Sequence, residues 1–366
     1  MNLVLYALFS ILIVTYFFLG TRNNKLVNLI SILLGALVFY LFLFNVTNNN
    51  DWDNYESIFY GRSEVNDFLF NYLANTFFFL RSDYSKLYQL HIVLMGFGFL
   101  YFASRFDYSA VFSVISIYLI FQLIPLSNQI RYYVAFAFFL IAAYNFIVKK
   151  NYVVFTVFAI ISYLSHSGIL SMYPFIYLFY VINSDKFPKK MAIFSLFAGV
   201  FLYILSRINF NFSNHMNSYL ENDISSLLGG IYNMLIWVFW LLFIYLNHKR
   251  LMKLNSENLE SDTKYQFLYK LSLYSIIFIP IGLIMQVFSQ RYVLASIIIW
   301  LSYVFYSLKY EVNLFQKMLF TTKFIFLFIV TFLYIYILPS YVFRTSGTDL
   351  IVKLFLSNST LVSLLR

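Results

Sequence analysis

The chain has 366 residues, of which 61% are hydrophobic and only 11% charged, and its formal net charge is +10. A soluble globular protein carries roughly 25% charged residues, so a wholly water-facing surface is excluded; disorder is excluded too, since it needs low hydrophobicity. An all-α polytopic membrane protein remains, because backbone groups in lipid must bond within helices and these apolar runs are continuous, not alternating as in a β-barrel.

Cysteine is absent, so there is no disulfide framework, no thiolate metal site and no Cys nucleophile. The positive charge reads as basic cytoplasmic loops and not as a nucleic-acid surface.

In chain order, the apolar runs 3–19, 26–46, 86–103, 109–126, 132–148, 152–165, 169–182, 191–206, 231–247, 271–289, 292–308 and 323–339 predict twelve transmembrane helices in one membrane domain, 1–366. The run 68–80 is too short to cross comfortably, and it predicts a re-entrant or interfacial helix. The first run has no basic residue before it and no small-residue cleavage site, so it reads as a span and not a signal peptide.

Arg22 and Lys25 follow that run and place the N-terminus outside. The loops 47–67 and 207–230 then lie outside. The segment 248–270, polar and mixed in charge, reads as a solvated cytoplasmic linker. Of the 25 Lys+Arg, 16 fall inside, as the positive-inside rule requires. Lysine dominates inside (13 of 16) and arginine outside (7 of 9). Arginine's planar fork suits bidentate phosphate recognition, so the asymmetry points to an anionic ligand at the outer face.

Candidate residues sit at the helix ends. In the loop 47–67, Asp53 and Tyr55 suit sugar recognition, a carboxylate accepting from hydroxyls and an aromatic face stacking on the ring; the plainer reading is a solvated acidic loop. Arg131 lies between two long apolar runs with Gln129 beside it, and a clamp on an anionic lipid head competes with a snorkelling helix anchor. His166, in Ser-His-Ser-Gly between two runs, is placed to act as a general base on an acceptor hydroxyl or to be a hydrogen-bonded turn residue. Arg291 follows Gln286 and Gln290, which share a helix face at i, i+4; together they could grip phosphate oxygens or bond between helices.

His91 reads as a helix-packing partner, His215 as a loop residue and His248 as a boundary residue. No HExxH motif appears, so no metal site is expected; no Walker A motif appears, so ATP is not expected as the energy source. No acid sits mid-span, which counts against an ion-coupled transporter.

These residues resemble the EpsG/Wzy type of bacterial polysaccharide polymerase. The matching features are Asp53-x-Tyr55 in the first large outside loop and an acid, Glu64, ahead of the run 68–80. Arg131 then opens a span with Ala135 after it, Lys149-Lys150 breaks the chain, His166-Ser167 ends the next run, and Arg291-Tyr292 comes late. The common pattern has Gln after Arg, whereas here Gln129 precedes Arg131 and Tyr132 follows it.

The resemblance implies an architecture similar to membrane glycosyltransferases of the C-type fold. It implies an enzyme of the bacterial inner membrane with its active site facing the periplasm or exterior. The enzyme would join undecaprenyl-pyrophosphate-linked repeat units, with no cofactor and no nucleotide sugar. Arg131 and Arg291 would stabilise the departing pyrophosphate and His166 would serve as base or orient the acceptor hydroxyl. Asp53, Tyr55, Gln129, Gln286 and Gln290 would hold substrate. Membrane lipid, a chain-length regulator and a flippase are the expected partners. Three other readings stand beside it: a lipid-linked oligosaccharide flippase, a polyprenyl-phosphate-dependent glucosyltransferase, for which Asp51 and Asp53 speak, and a membrane O-acyltransferase.

Overall fold

A computed structural model describes residues 25–47, 49, 51–62, 67–207, 227–284, 286–311, 313–337 and 358. Among them there is no strand. The helices are α1 (Lys25–Leu43), α2 (Trp52–Phe59), α3 (Phe68–Phe79), α4 (Tyr84–Ser104), α5 (Val111–Asn128), α6 (Ile130–Tyr144), α7 (Tyr152–Ser165) and α8 (Pro174–Val181). They continue with α9 (Phe187–Arg207), α10 (Leu227–Ser261), α11 (Thr263–Tyr274), α12 (Ile279–Ile284), α13 (Gln286–Ala295), α14 (Ile297–Ser307) and α15 (Leu314–Phe332).

Eight helical stretches among the described residues are long and apolar enough to cross a bilayer: Lys25–Leu43, Tyr84–Ser104, Tyr108–Asn128, Ile130–Lys149, Gly230–Ser261, Thr263–Leu283, Arg291–Tyr310 and Leu314–Tyr336. The protein is therefore a multi-pass, all-helical membrane protein. The expected spans 152–165 and 169–182 form the shorter helices Tyr152–Ser165 and Ser167–Val181. The expected span 3–19 and most of the loop 207–230 lie outside the described residues. The run 68–80 is α3, whose 12 residues measure about 18 Å at 1.5 Å per residue, short of a bilayer core.

Two sequence expectations are corrected. The loop 47–67 contains a helix, α2, whose Trp52, Tyr55 and Phe59 turn inward. The supposed linker 248–270 is helical: α10 runs to Ser261 with a kink at Asn255, and α11 starts at Thr263 after Asp262 alone. Many of its polar residues are exposed, but Asp262 is engaged within the protein. Asp262 Oδ1 accepts from the backbone N of Lys264 and Tyr265, capping α11. Its Oδ2 accepts from Tyr306 Oη at 2.8 Å, from Lys309 Nζ at 2.6 Å and from Tyr310 Oη. His248, expected at a boundary, is buried, with its ring 3.5 Å from that of Tyr269 and Nδ1 3.0 Å from Tyr265 Oη.

The chain gathers into two compact units, Met1–Tyr173 with Ile335–Arg366, and Pro174–Tyr334. In the first, α6 packs against α4 and α7, and α1 against α5. Every residue of α6 except Arg131 is buried, which suits a helix apolar all round and marks it as the unit's centre. Lipid chains are as apolar as leucine, so close approach and hydrogen bonds must hold such helices together. At Gly98 a Cβ would lie 2.7 Å from that of Ala137, so α4 and α6 nearly touch there. Ser162 Oγ donates to the Ala135 carbonyl at 2.7 Å, and Tyr133 Oη to Gln122 Oε1 at 2.9 Å. In the second unit, Trp240 Nε1 donates to Thr331 Oγ1 at 2.8 Å, and buried Lys270 donates to the carbonyls of Phe179 and Ile182 at the end of α8.

Candidate active site

The chain breaks its helical course at Gln129, between α5 and α6, where the backbone leaves helical geometry (φ −100°, ψ 49°). The Gln129 N–H still closes onto the Pro125 carbonyl at 2.8 Å, so the helix is intact up to this residue. Arg131 therefore projects from the first turn of a helix that is otherwise buried. Its Nη1 donates to Asp67 Oδ2 at 2.5 Å, with side chains 15% and 8% exposed. Its guanidinium carbon lies 5.0 Å from the Tyr55 ring centre and 5.5 Å from that of Phe70. A cation held by a carboxylate and flanked by two aromatic rings keeps one orientation.

Some buried polar groups of the first unit are incompletely matched. Gln129 Oε1 and the hydroxyls of Tyr84 and Tyr88 are buried with no hydrogen-bond partner among the described residues. Tyr84 lies within electrostatic reach of Arg131, Tyr55 and Asp51. The loop before α2 is tied to the same break, Asn49 Nδ2 donating to the Ser127 carbonyl at 2.9 Å. Buried polar atoms of folded proteins are nearly always paired, so the orphaned Tyr84 hydroxyl within reach of Arg131, and Gln129 Oε1 two positions before it, leave bonding capacity for a polar ligand.

His166 stands at the end of α7 and caps the short 3₁₀ turn Ser167–Met172. Its ring meets that of Tyr132, the residue after Arg131, edge-on at 5.6 Å and 89°. The Gly168 N–H donates to His166 Nδ1 at 3.1 Å. A neutral imidazole has one bare nitrogen and one N–H. Since Nδ1 accepts, a neutral ring carries its proton on Nε2.

The sequence pattern of the EpsG family matches residues 28–347. The chain belongs to the EpsG family. No curated protein and no solved structure matches it. The match covers both compact units and contains Arg131, Asp67 and His166.

Other residues of this EpsG-family chain fall as follows. Asp53 is exposed on α2, while Tyr55, two residues on, is 6% exposed and packs on Phe70 and Arg131. Arg291 is half-buried on α13 in the second unit, and the next residue, Tyr292, stacks on Phe278 at 4.5 Å. Gln286 and Gln290 lie on α13, with side chains outside the described residues. His91 is buried, its Nδ1 2.8 Å from the Leu87 carbonyl and its ring against Phe70. Glu64, the acid noted before the run 68–80, lies outside the described residues. Sequence reasoning missed Asp67, which immediately precedes that run, and it missed Tyr84 and Tyr88. An acid placed directly before an apolar helix was the available signal.

Proposed function

We propose that this chain is a polysaccharide polymerase that joins undecaprenyl-pyrophosphate-linked oligosaccharide repeat units at the outer face of the bacterial inner membrane. Membership in the EpsG family supports the reaction class. The single observation that carries the site is Arg131, pinned to Asp67 at a helix break with the orphaned Tyr84 hydroxyl within its reach.

The acceptor's terminal sugar hydroxyl attacks the anomeric carbon of the donor glycan. The bond from that carbon to the pyrophosphate oxygen breaks, undecaprenyl pyrophosphate leaves, and the hydroxyl proton passes to the departing pyrophosphate. Charge grows on the leaving oxygen, and a fixed guanidinium in a partly water-excluded site stabilises it most where it is already oriented. His166 serves as an Nε2–H donor to that oxygen, because its Nδ1 is committed to the Gly168 N–H. Gln129 Oε1 and the Tyr84 and Tyr88 hydroxyls receive or supply hydrogen bonds to sugar hydroxyls. Asp53, exposed on α2, is available to the acceptor sugar. Arg291, Gln286 and Gln290 enter the proposal on sequence position alone, as grips on a second phosphate. The donor is pre-activated, so no nucleotide is consumed.

The test is the banding of surface polysaccharide in the native host lacking this gene, complemented with wild type or with well-expressed variants at Arg131 or His166. A ladder that collapses to one repeat unit, rescued by wild type only, supports the polymerase. Loss of even the single-unit band means a flippase, and an intact ladder of shifted mobility means a tailoring glucosyltransferase or acyltransferase.

A further inference from the structure

Helices α2 and α3 end side by side, and both close with the same turn. In α2 the Arg62 N–H reaches the Ser57 carbonyl at 2.8 Å, and in α3 the Ser82 N–H reaches the Phe77 carbonyl at 2.9 Å. Each turn places one residue in the left-handed region. In α2 that residue is Gly61 (φ 68°), the natural choice; in α3 it is Arg81 (φ 55°), which carries a side chain where glycine is easier. Backbone strain kept at a charged residue is a reason to ask what the charge holds.

Arg81 borders a cleft of about 650 Å³ lined by Tyr60, Asn75, Phe78, Phe79, Arg81 and Ser82. Arg62 lies over the Tyr60 ring at 5.6 Å, adding a second guanidinium at its edge. Both arginines are exposed, and among the described residues neither is paired with an acid. The neighbouring acid Asp83 is engaged in capping α4, accepting from the Lys86 N–H at 3.1 Å. Beside these cations the apolar surface is bare: Phe79 is 86% exposed, Leu80 66% and Phe78 56%.

We propose that this cleft binds the phosphate headgroup of an anionic phospholipid, with Arg81 and Arg62 on the phosphate and Phe78, Phe79 and Leu80 along the acyl chains. The occupant follows from charge and surface together. Two cations select an anion, and exposed rings and leucine beside them select one that carries hydrocarbon. Glycine closes the matching turn of α2, whereas α3 keeps a cation there at the expense of backbone strain. The site stands apart from the Arg131 centre and does not depend on the polymerase reading.

The whole protein in detergent micelles is titrated with short-chain phosphatidylglycerol, and binding is read by native mass spectrometry. Short-chain phosphatidylcholine, inorganic phosphate and a polyprenyl phosphate form the other arms. Arg81→Gly removes the charge and relieves the strained backbone, so its thermal midpoint should hold or rise. Its affinity for phosphatidylglycerol should fall about tenfold, the loss of one charge-assisted contact, with a further drop in Arg62→Gln. Unchanged affinity in Arg81→Gly overturns the proposal. So does phosphatidylcholine or inorganic phosphate binding as well as phosphatidylglycerol. Polyprenyl phosphate displacing the phospholipid would assign the cleft to a different lipid and overturn it also.

Discussion

The end of α6 in the first unit and the α10–α11 junction in the second both bury charge at helix ends, and they differ in how completely it is matched. At the junction the Asp262 carboxylate takes two backbone N–H groups, two tyrosine hydroxyls and the Lys309 ammonium. Arg250 nearby donates to Glu311 and, at 2.8 Å, to Asn247. In the unit of the Arg131–Asp67 pair, the Tyr84 hydroxyl within reach of Arg131 and Gln129 Oε1 two positions before it meet nothing among the described residues. The Asp262 carboxylate, with both oxygens filled, is a structural joint, and beside it Glu311 keeps Oε2 buried and unpartnered among the described residues. The unfilled groups near Arg131 keep bonding capacity for something that arrives.

The largest expected effect is at Arg131. Arg131→Ala strands Asp67, and breaking a largely buried pair destabilises by about 3–5 kcal/mol, so loss of activity there would mix folding with chemistry. Arg131→Lys keeps the charge and lacks the planar fork. It should express at near wild-type level while chain polymerisation falls roughly 10²- to 10³-fold, the effect of removing one oriented transition-state donor. Full-length ladders from Arg131→Lys would place the chemistry elsewhere. Asp67→Ala should follow with about a hundredfold loss through misplacement of the guanidinium. Asp67→Asn, which keeps an oxygen toward Nη1, should lose less; equal losses would show that only the charge of Asp67 matters.

His166 comes next. The Nε2–H donor goes with an Nδ1 that accepts from the Gly168 N–H, so protonating Nδ1 would set two N–H groups against each other. His166→Gln, which retains an N–H donor, should keep more activity than His166→Ala. Equal loss in the two variants would overturn the donor role.

The junction responds in stability and not in turnover. Burial pushes the Asp262 carboxyl up, but the bonds from Lys309, Tyr310 and Tyr306 outweigh it and hold its pKa at about 2. The folded value lies below the unfolded one of about 3.9, so the stabilisation is present above pH ~4 and is lost as pH falls toward 2. Asp262→Ala removes a helix cap and leaves Lys309 and two hydroxyls to resolvate, lowering stability by about 2 kcal/mol at neutral pH. The thermal midpoint in detergent would fall, and the acid-labile part of the wild-type profile between pH 4 and 2 would shrink. The polysaccharide ladder at permissive temperature should stay intact. A ladder lost in a well-folded Asp262→Ala protein would erase the distinction between the two regions.

Much of the scaffold was legible because the spans are continuous apolar runs: 132–148 reads directly as Ile130–Lys149, and 86–103 as Tyr84–Ser104. The segment 248–270 was not legible as helix. Asp262, Arg250 and Gln266 have the composition of a solvated linker, and what distinguishes them is partners on other helices. The site divides in the same way. Arg131 stood out because a single arginine interrupts apolar sequence. Asp67 did not, because it acquires meaning only when folding brings it to a residue 64 positions away. The tautomer of His166 depends on a backbone N–H two residues on, which only the turn's geometry supplies.

The smallest effect separates the two regions most cleanly. Tyr84 Oη is buried and unpartnered, so Tyr84→Phe removes a group that already bears its desolvation penalty. Deleting an unsatisfied hydroxyl is near neutral for stability, within about 1 kcal/mol of wild type and on the favourable side. Tyr306→Phe at the junction deletes a bonded hydroxyl and should destabilise by about 1 kcal/mol, the net value of one hydrogen bond. If the orphan hydroxyl serves substrate, Tyr84→Phe should raise the acceptor concentration needed for half-maximal polymerisation about tenfold, since a sugar hydroxyl loses one bond in a desolvated site. Tyr306→Phe should leave that concentration unmoved. The opposite pattern, in which Tyr84→Phe destabilises and leaves acceptor dependence alone, would mean that its hydroxyl already has a structural partner and that the α6 end is a joint like the other.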